Sequence, residues 1–305
     1  MKTYLIAGAS GNVASRVASS LAEQGNRVHA ITSKAERAGK VEGNLHWVCA
    51  DLSQGKDVAD IFAGVDRAFL YVPPGYAAQD TFLAPLLQAA VDHKLEKVVL
   101  LTAFGANADE NSPLRLAERQ LEQSGIAYNI VRPNWFMQNF SSFWLQGINE
   151  QNAILLPTAQ AKGSFIDVRD IADVVVRLIA TDDLNNQAFD ITGSQALDHD
   201  EVAAILSRVT GRHIVYQQIA PQQLKEGLLQ AGLPEDYADF LLLILSYFAQ
   251  GHSEAVTDSV KALLGREPIT FEQYANDYRA AWEEALGAIA GLMLAGAAKR
   301  EAATS

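Results

Sequence analysis

Residues 3–14 read Thr3-Tyr-Leu-Ile-Ala-Gly8-Ala-Ser-Gly11-Asn-Val-Ala14, an apolar run followed at once by two spaced glycines. The apolar run predicts a buried β-strand, and the spacing of the apolar residues after the glycines predicts a helix. Gly8 lets the chain turn tightly off the strand, and Gly11 lacks a Cβ, so a bound group can approach the backbone there. Ala14 provides the small side chain that close packing of helix against strand requires.

This strand–turn–helix unit is the first of a series along the first half of the chain. The predicted strands are apolar along most of their length, which is typical of parallel strands covered on both faces. They are Thr3–Ala7, Arg27–Thr32, Leu45–Ala50, Arg67–Val72, Lys97–Thr102 and Ala127–Val131. The helices predicted between them are Val13–Gln24, Asp57–Phe62, Thr81–His93 and Leu114–Gln123. The repeated β–α order predicts an α/β fold with a Rossmann-type, doubly wound parallel sheet.

The second half of the chain is predicted to form a smaller, mostly helical C-terminal domain. Its elements are a helix over Trp135–Leu145, an apolar segment over Ala153–Leu156, a helix over Ile171–Ala180, a strand over Ala188–Thr192 and a helix over Asp198–Val209. We therefore predict a Rossmann domain over residues 1–155, completed by a strand near residues 188–192. Residues 156–285 are predicted to form the smaller substrate-binding part, and residues 286–305 an alanine-rich helical tail.

The composition restricts the classes of partner. Apolar residues make up 49% of the 305 residues and the formal net charge is −12, so a basic nucleic-acid-binding face is not expected. Cys49 is the only cysteine and the histidines lack metal-ligand spacing, so neither an intrachain disulfide nor a metal site is predicted. No stretch is long and apolar enough for a signal peptide or a membrane span. We predict a cytoplasmic monomer or homodimer that binds a small molecule and contacts neither nucleic acid nor membrane.

The glycine loop has the chemistry of a diphosphate site. The amide hydrogens and partial positive charge at a helix N-terminus attract anions, and this loop lies at the start of a β–α–β unit. Its spacing is G-x-x-G-x-x-A, which differs from the G-x-G-x-x-G of many NAD-dependent dehydrogenases. A strand-to-helix turn without a ligand is the alternative. We predict a dinucleotide site whose residues in this loop are Gly8, Ser10, Gly11, Asn12 and Val13.

The end of the second strand indicates which dinucleotide would bind. An NAD-preferring site places Asp or Glu there to bind the ribose 2′-hydroxyl, whereas this strand ends Thr32-Ser33-Lys34, with Arg37 three residues on. A hydroxyl and two cations can contact a 2′-phosphate. The alternative is a solvated loop, and the neighbouring Glu36 could weaken the preference. We predict that Ser33, Lys34 and Arg37 bind the 2′-phosphate of NADP(H).

The loops after the other strands are predicted to border the rest of the coenzyme, because ligands of open parallel sheets bind at the carboxyl ends of the strands. Asp51 follows the third strand, and its side chain or the backbone of its neighbour can bond the adenine amino group; the alternative is that Asp51 caps the next turn. The amide of Asn134 can orient the nicotinamide ring. The further residues predicted to contact the coenzyme are Leu52, Val72, Pro73, Thr102, Ala103 and Phe104.

Several longer segments carry a family resemblance. They are Gly-Ala-Ser-Gly-Asn-Val at 8–13, Lys-Val-Val-Leu-Leu-Thr at 97–102, Ala-Glu-Arg-Gln-Leu-Glu-Gln-Ser-Gly at 117–125, Val-Arg-Pro-Asn-Trp-Phe-Met-Gln-Asn at 131–139, Gly-Leu-Pro-Glu-Asp at 232–236 and Val-x-x-x-Leu-Gly-Arg-Glu-Pro at 260–268. Together they resemble the NmrA-like branch of the atypical short-chain dehydrogenases/reductases. The resemblance spans about residues 3–283, and the segment over 132–137 is its most specific part.

The resemblance implies an NADP-binding Rossmann domain with a small C-terminal domain over the nicotinamide. The branch includes quinone oxidoreductases, triphenylmethane reductase, ergot-alkaloid reductases and isoflavone reductases. It also includes redox sensors that bind transcription factors and catalyse nothing. The resemblance therefore implies either an enzyme or a sensor.

The acid–base pair of typical short-chain dehydrogenases is missing from this sequence. That pair is Tyr-x-x-x-Lys, in which the tyrosine delivers a proton and the lysine lowers its pKa. Counted back from Glu118, the family spacing places the lysine at Leu114 and the tyrosine at Glu110. Thr102 and Tyr76 remain as candidate proton donors near the crevice, and no catalytic residue is assigned.

The residues expected near an acceptor are apolar and aromatic. We predict that Trp135, Phe136 and Met137 bind the substrate, with Tyr71 and Phe104 on neighbouring strand ends. For Phe136, packing in the core is an equally suitable interpretation. A small aromatic or conjugated substrate fits this set of side chains.

The sequence thus predicts an NADPH-dependent reductase of pre-activated, conjugated acceptors such as quinones, iminium ions or cationic dyes. General acid catalysis contributes roughly 10²–10⁴ in rate, and acceptors of this kind need it least. The alternative is a non-catalytic, NADP-sensing regulatory protein that binds a protein partner. An isomerase or another non-redox use of the fold is a third interpretation.

Overall fold

The computed structural model describes residues 1–54 and 58–283, which divide into two compact units. The sheet unit consists of Met1–Asn134, Val168–Thr192 and Thr257–Pro268. The helical unit consists of Trp135–Asp167, Gly193–Val256 and the described residues from Ile269 onward. The predicted tail over 286–305 lies outside the described residues, as does Asp57, the predicted first residue of a helix.

The sheet unit is built on eight strands. In chain order they are β1 (Thr3–Ile6), β2 (Arg27–Thr32), β3 (Val41–Glu42), β4 (Leu45–Cys49), β5 (Arg67–Leu70), β6 (Lys97–Leu101), β7 (Ala127–Pro133) and, after β8 of the helical unit, β9 (Gln187–Ile191). Their order in the sheet is β3-β4-β2-β1-β5-β6-β7-β9, and all neighbours pair in parallel except β3 with β4. The order reverses between β1 and β5, so the carboxyl ends of these two strands mark the topological switch point. The predicted doubly wound α/β fold is confirmed.

Helices cover both faces of this sheet. They are α1 (Asn12–Glu23), α2 (Val58–Ile61), α3 (Gln79–Asp92), α4 (Pro113–Glu122), α6 (Val168–Ala180) and α10 (Ser259–Leu264). On one face, buried side chains of β5 and β6 such as Leu70 and Leu100 pack with Leu83 and Leu86 of α3. On the other face α1 packs against α6. Strands covered in this way are apolar along most of their length, which explains why they lack strict polar alternation.

Two buried cations hold the C-terminal end of α6. The Lys97 ammonium donates to the carbonyls of Leu178 and Thr181, at 2.6 and 2.8 Å. Arg67 donates to the carbonyl of Ile179 at 2.8 Å and to both carboxylate oxygens of Asp182 at 2.9 Å. The last carbonyls of a helix carry partial negative charge, so these cations satisfy groups that the helix itself leaves unpaired.

The helical unit has its own small sheet and an aromatic core. Its strands β8 (Ala153–Leu156) and β10 (Val215–Gln218) pair in parallel. Its helices are α5 (Leu145–Gln151), α7 (His199–Thr210), α8 (Pro221–Gln230), α9 (Glu235–Ala249), α11 (Phe271–Asp277) and α12 (Ala280–Glu283). Phe140 lies at the centre of the core, where its ring meets those of Phe165 and Phe271 edge-on at 5.2 and 5.1 Å.

The prediction of a helix over Trp135–Leu145 is wrong. The segment instead runs extended to Phe136, makes a short 3₁₀ turn over Met137–Ser141 and enters α5 at Leu145. The physical reason is strand-like pairing with a distant residue: the Ile166 N–H donates to the Trp135 carbonyl and the Met137 N–H donates to the Ile166 carbonyl, both at 2.9 Å. Those bonds fix an extended backbone that a helix cannot adopt.

The division of the chain differs from the boundaries predicted at residues 155 and 156. The chain leaves the sheet unit after Asn134, because β8 pairs with β10 and not with the large sheet. The chain then returns to the sheet unit for α6 and β9, and β9 pairs with β7. Across residues 1–54 and 58–283, no helix combines the length and the apolar character needed to cross a membrane.

A buried histidine in the helical unit makes folding stability depend on pH. The His199 ring is 1% exposed; its Nδ1 lies 2.9 Å from the Thr158 hydroxyl, and its Nε2 has no hydrogen-bond partner among the described residues. Burial lowers the pKa of His199 to about 3. Below pH 6.5 the His199 imidazole therefore binds a proton in the unfolded chain but not in the folded chain. The free energy of unfolding falls as the pH falls.

We expect the His199→Phe variant to lose this part of the pH dependence. Between pH 7 and pH 5 the histidine should account for about 2 kcal/mol of lost unfolding free energy in the natural chain. Urea unfolding at the two pH values measures it, with His213→Gln, a change at an exposed histidine, as the control. Equal losses in the His199→Phe variant and the natural chain would contradict this assignment.

Candidate functional site

The glycine loop forms a tight turn between β1 and α1. Gly8 lies in the left-handed region with φ +55°, and its carbonyl accepts a hydrogen bond from the Gly11 N–H at 2.8 Å. Gly11 is the N-cap residue of the twelve-residue α1 and has no side chain to satisfy the first-turn amides. The described first turn of α1 contains no Asp or Glu. An unshielded helix N-terminus of this kind binds anions.

Tyr71, which follows β5, packs directly against this loop. Its hydroxyl donates to the Gly8 carbonyl at 3.0 Å. A Cβ on Gly8 would lie 2.4 Å from the Tyr71 hydroxyl oxygen, and a Cβ on Gly11 would lie 2.7 Å from it. A side chain at either position would therefore require Tyr71 or the loop to shift, a constraint that the sequence does not reveal. Burial raises the pKa of Tyr71 to about 12, so its hydroxyl remains a donor at neutral pH.

The candidate 2′-phosphate residues lie beside the same loop. The Thr32 hydroxyl accepts from the Lys34 N–H at 3.2 Å and lies 3.4 Å from the Ser10 hydroxyl, so it joins the segment after β2 to the glycine loop. Ser33 and Lys34 are exposed. The Arg37 guanidinium stacks over the Trp47 ring, 4.3 Å from its centre. A cation held against an aromatic face loses less freedom when it binds an anion.

The side chain of Asp51 caps the turn that follows it, which is the alternative role given in the sequence analysis. Its carboxylate accepts from the backbone N–H and the hydroxyl of Ser53, at 3.0 and 2.6 Å, and so caps the following turn. The side chains of Leu52 and Val72 pack against the core beneath the sheet. Both hydrogen bonds go to Oδ1 of Asp51, and a contact of these residues with adenine or ribose stays a prediction.

The residues predicted to border the nicotinamide lie at the carboxyl ends of β6 and β7. The Thr102 N–H donates to the Val131 carbonyl and the Phe104 N–H to the Pro133 carbonyl, both at 2.9 Å. Asn134 is buried, and its N–H donates to the Ile191 carbonyl at 3.0 Å. These backbone bonds continue the pairing beyond the strands, so the sheet holds Thr102, Phe104 and Asn134 at one edge.

A buried ion network lies beneath this edge. The Glu118 carboxylate of α4 is fully buried and accepts from the Thr102 hydroxyl at 2.8 Å. It also accepts two bonds from Arg132, at 2.8 and 2.7 Å, and one from Arg115 at 3.1 Å. Burial alone would lower the pKa of Arg132, but the hydrogen bonds to Glu118 raise it above its ordinary value. Paired charges of this kind are costly to break singly and so fix local geometry.

The remaining candidate residues are Tyr76 of the sheet unit and three residues of the helical unit. The Tyr76 ring packs against Phe82 at 4.9 Å and against the core of the sheet unit. Trp135, Phe136 and Met137 belong to the helical unit, where the Trp135 indole N–H donates to the Ser253 hydroxyl at 3.2 Å. Met137 is buried in the core of that unit, so packing is its observed role.

A protein-family model described as NAD(P)H-binding matches residues 8–182 of this chain. The chain belongs to this NAD(P)H-binding family. It is 31% identical over 285 residues to the NAD(P)H azoreductase of Xenophilus azovorans, covering 91% of this chain and 98% of that one. It is 28% identical over 288 residues to the agroclavine dehydrogenase of Claviceps fusiformis, covering 92% and 98%.

Two solved structures with a bound coenzyme share the fold of this chain. The triphenylmethane reductase of Citrobacter sp. in complex with NADP(H) has a TM-score of 0.77 at 20% identity, covering 93% of this chain and 100% of that one. An NADPH-dependent quinone oxidoreductase of Escherichia coli in complex with NADPH has a TM-score of 0.78 at 19% identity, covering 91% and 99%. The resemblance to NmrA-like atypical reductases is confirmed, and the chain is an NAD(P)H-dependent oxidoreductase.

Sequence reasoning missed three features of this family member's site. The contact of Tyr71 with the glycines depends on β1 lying beside β5, which no local pattern reveals. Trp47 beneath Arg37 depends likewise on the pairing of β2 with β4. The burial of Glu118 could have been predicted from the sequence, because this acidic residue lies on the helix face that carries the buried Ala117 and Leu121. Within the part of the chain that the structure describes, no group of His, Cys, Asp and Glu could hold a metal ion.

Proposed function

We propose that this chain uses NADPH to reduce acceptors that are already strongly electrophilic, such as quinones, iminium ions and cationic dyes. The observation that carries the proposal is the replacement of the usual acid–base pair. Glu110 occupies the position of the tyrosine and is ion-paired with Arg115, 3.2 Å away, and Leu114 occupies the position of the lysine. Neither residue can deliver a proton as the Tyr–Lys pair does.

The residues of the sheet unit fit NADPH. The unshielded N-terminus of α1, with Gly8, Ser10, Gly11, Asn12 and Val13, would hold the diphosphate. The cations of Lys34 and Arg37, with the Ser33 hydroxyl, would hold the 2′-phosphate. When bound, the coenzyme supplies a hydride, which is two electrons and one hydrogen nucleus.

The chain's own residues would bind NADPH and the acceptor and orient them relative to each other. This contribution is sufficient for acceptors of this class. Positioning of two reactants can contribute about 7–11 kcal/mol to lowering a barrier. The sheet edge with Thr102, Ala103, Phe104 and Asn134 would position the nicotinamide. A cationic dye needs no proton after it accepts a hydride, and a reduced quinone takes its proton from water. Trp135, Phe136 and Met137 stay sequence predictions for acceptor binding.

The relatives support this class of acceptor. Azo compounds, after which the 31% identical azoreductase is named, are conjugated acceptors. The transcriptional regulator NmrA shares the fold of this chain at 16% identity and a TM-score of 0.70, and a likeness in fold alone does not carry the alternative role as a sensor. The observations therefore favour catalysis over sensing.

Turnover with a panel of acceptors tests the proposal. We expect the purified chain to oxidise NADPH in the presence of quinones or cationic triarylmethyl dyes, followed as loss of the reduced-coenzyme absorbance. Simple ketones should give no turnover, since they need general acid catalysis. The Gly11→Val variant, purified in the same way, controls for contaminating reductases. Tight NADPH binding without turnover of any acceptor would contradict the proposal and favour the sensor.

A further inference from the structure

The hydroxyl of Thr102 lies at the sheet edge predicted to hold the nicotinamide, but its hydrogen is already donated to another side chain. Thr102 donates to a Glu118 carboxylate oxygen at 2.8 Å. The two oxygens of Glu118 together accept four hydrogen bonds, three of them from the guanidinium groups of Arg132 and Arg115. A carboxylate surrounded in this way only accepts, so it fixes the direction of the bond from Thr102.

A threonine hydroxyl has one hydrogen and two lone pairs. Because Glu118 takes the hydrogen, the Thr102 oxygen can offer only lone pairs to a ligand. Of the molecules in the proposed reaction, a quinone and a fully N-methylated cationic dye carry no N–H or O–H group. The reduced coenzyme does carry one near its reacting carbon, the carboxamide NH₂ on the nicotinamide ring.

We infer that Glu118 is a positioning residue that makes Thr102 an acceptor for the nicotinamide carboxamide, and that Thr102 is not the proton donor. This inference rests on the proposed function. The surroundings of Glu118 support it, because its partners come from the ends of β6 and β7 and from α4 itself. The network therefore holds the Thr102 oxygen rigidly relative to the strand that leads into Asn134.

Two acceptors separate this role from proton donation, because their reductions differ by one proton. In the dye, the hydride forms a C–H bond at the central carbon and neutralises the cation, so no proton is needed. In a quinone, the hydride and one proton are both required to give the hydroquinone. Loss of a proton donor would slow only the quinone, whereas loss of an orienting acceptor would slow both.

The test uses Thr102→Val, which keeps the shape and removes the oxygen, and Thr102→Ser, which restores it. We expect Thr102→Val to raise the Kd for NADPH and to lower kcat/KM about fivefold to tenfold for dye and quinone alike. Thr102→Ser should recover most of both values. Thr192→Val removes the hydroxyl of another buried threonine, directly after β9, and should change either value less than about twofold.

A variant of the positioning residue itself completes the test. Glu118→Gln introduces an amide that can donate to the Thr102 oxygen and so releases the hydroxyl hydrogen, which would then oppose the N–H donors of the carboxamide. NADPH affinity should therefore fall as in Thr102→Val, with no further loss in the double variant. Thermal melting shows whether the Glu118→Gln variant folds. If it does not fold, the Thr102 variants alone test the inference.

The outcomes are distinct. A selective loss of quinone reduction in Thr102→Val would overturn the inference, as would an unchanged Kd with unchanged rates. If the natural chain binds NADPH but reduces neither acceptor, the proposed function fails, and the Kd values of the two Thr102 variants still decide the inference.

Discussion

Replacing both Lys34 and Arg37 by alanine should weaken NADPH binding about a hundredfold and leave NADH binding nearly unchanged. Each cation can make one charge-assisted hydrogen bond to a 2′-phosphate, and two such bonds at roughly 1.5 kcal/mol each give a factor of about a hundred. NADH lacks that phosphate and so loses neither bond. Isothermal titration calorimetry with the two coenzymes measures both affinities.

Glu36 offers a matched control, because it lies in the same 3₁₀ turn as Arg37 and carries the opposite charge. Glu36→Gln should leave NADH binding unchanged and tighten NADPH binding slightly. Equal weakening of NADPH and NADH in the double alanine variant would contradict the assignment of these cations. Trp47→Leu provides a further comparison, because it removes the ring on which Arg37 stacks and should weaken NADPH selectively but by less.

Replacing Gly11 by valine should abolish the binding of either coenzyme, a loss of at least about a hundredfold in affinity. The valine side chain would fill the space through which a diphosphate reaches the first-turn amides of α1. Its Cβ would also lie 2.7 Å from the Tyr71 hydroxyl oxygen, so the loop would have to shift. Calorimetry measures the loss, and circular dichroism checks that the fold remains.

The control for this variant is Gly227→Val in α8, where an added Cβ meets nothing within 4 Å. That change should raise helix stability slightly, because valine has a higher helix propensity than glycine, and leave coenzyme affinity intact. If Gly11→Val bound NADPH as tightly as the natural chain, the glycine loop would not be the diphosphate site.

The sheet unit could be predicted because its signals are local. Most of its strands are short, mainly apolar runs, and Gly8 and Gly11 mark the turn into α1 within a few residues. The two-residue β3 was not predicted, because Val41 and Glu42 are exposed and form no apolar run. The 2′-phosphate candidates could be named for the same reason, since they follow β2 directly. Residues brought together within one strand–loop–helix unit are readable from sequence spacing.

The remaining features depend on contacts between residues far apart in the chain. The segment from Trp135 has enough apolar residues for a helix, but its pairing with Ile166 imposes an extended backbone instead. Tyr71 reaches Gly8 only because β5 lies beside β1. Asp51 could be given two roles from its position; the hydrogen bonds to Ser53 show the capping role, and a contact with adenine stays a prediction.

The most direct test of the central claim follows a labelled hydride. The chain is mixed with a cationic triarylmethyl dye and with NADPH deuterated at both C4 hydrogens of the nicotinamide, and the product is analysed by mass spectrometry. We predict that the colourless product carries one deuterium at its central carbon. A colourless product without deuterium, or none from a chain saturated with NADPH, would contradict direct hydride transfer.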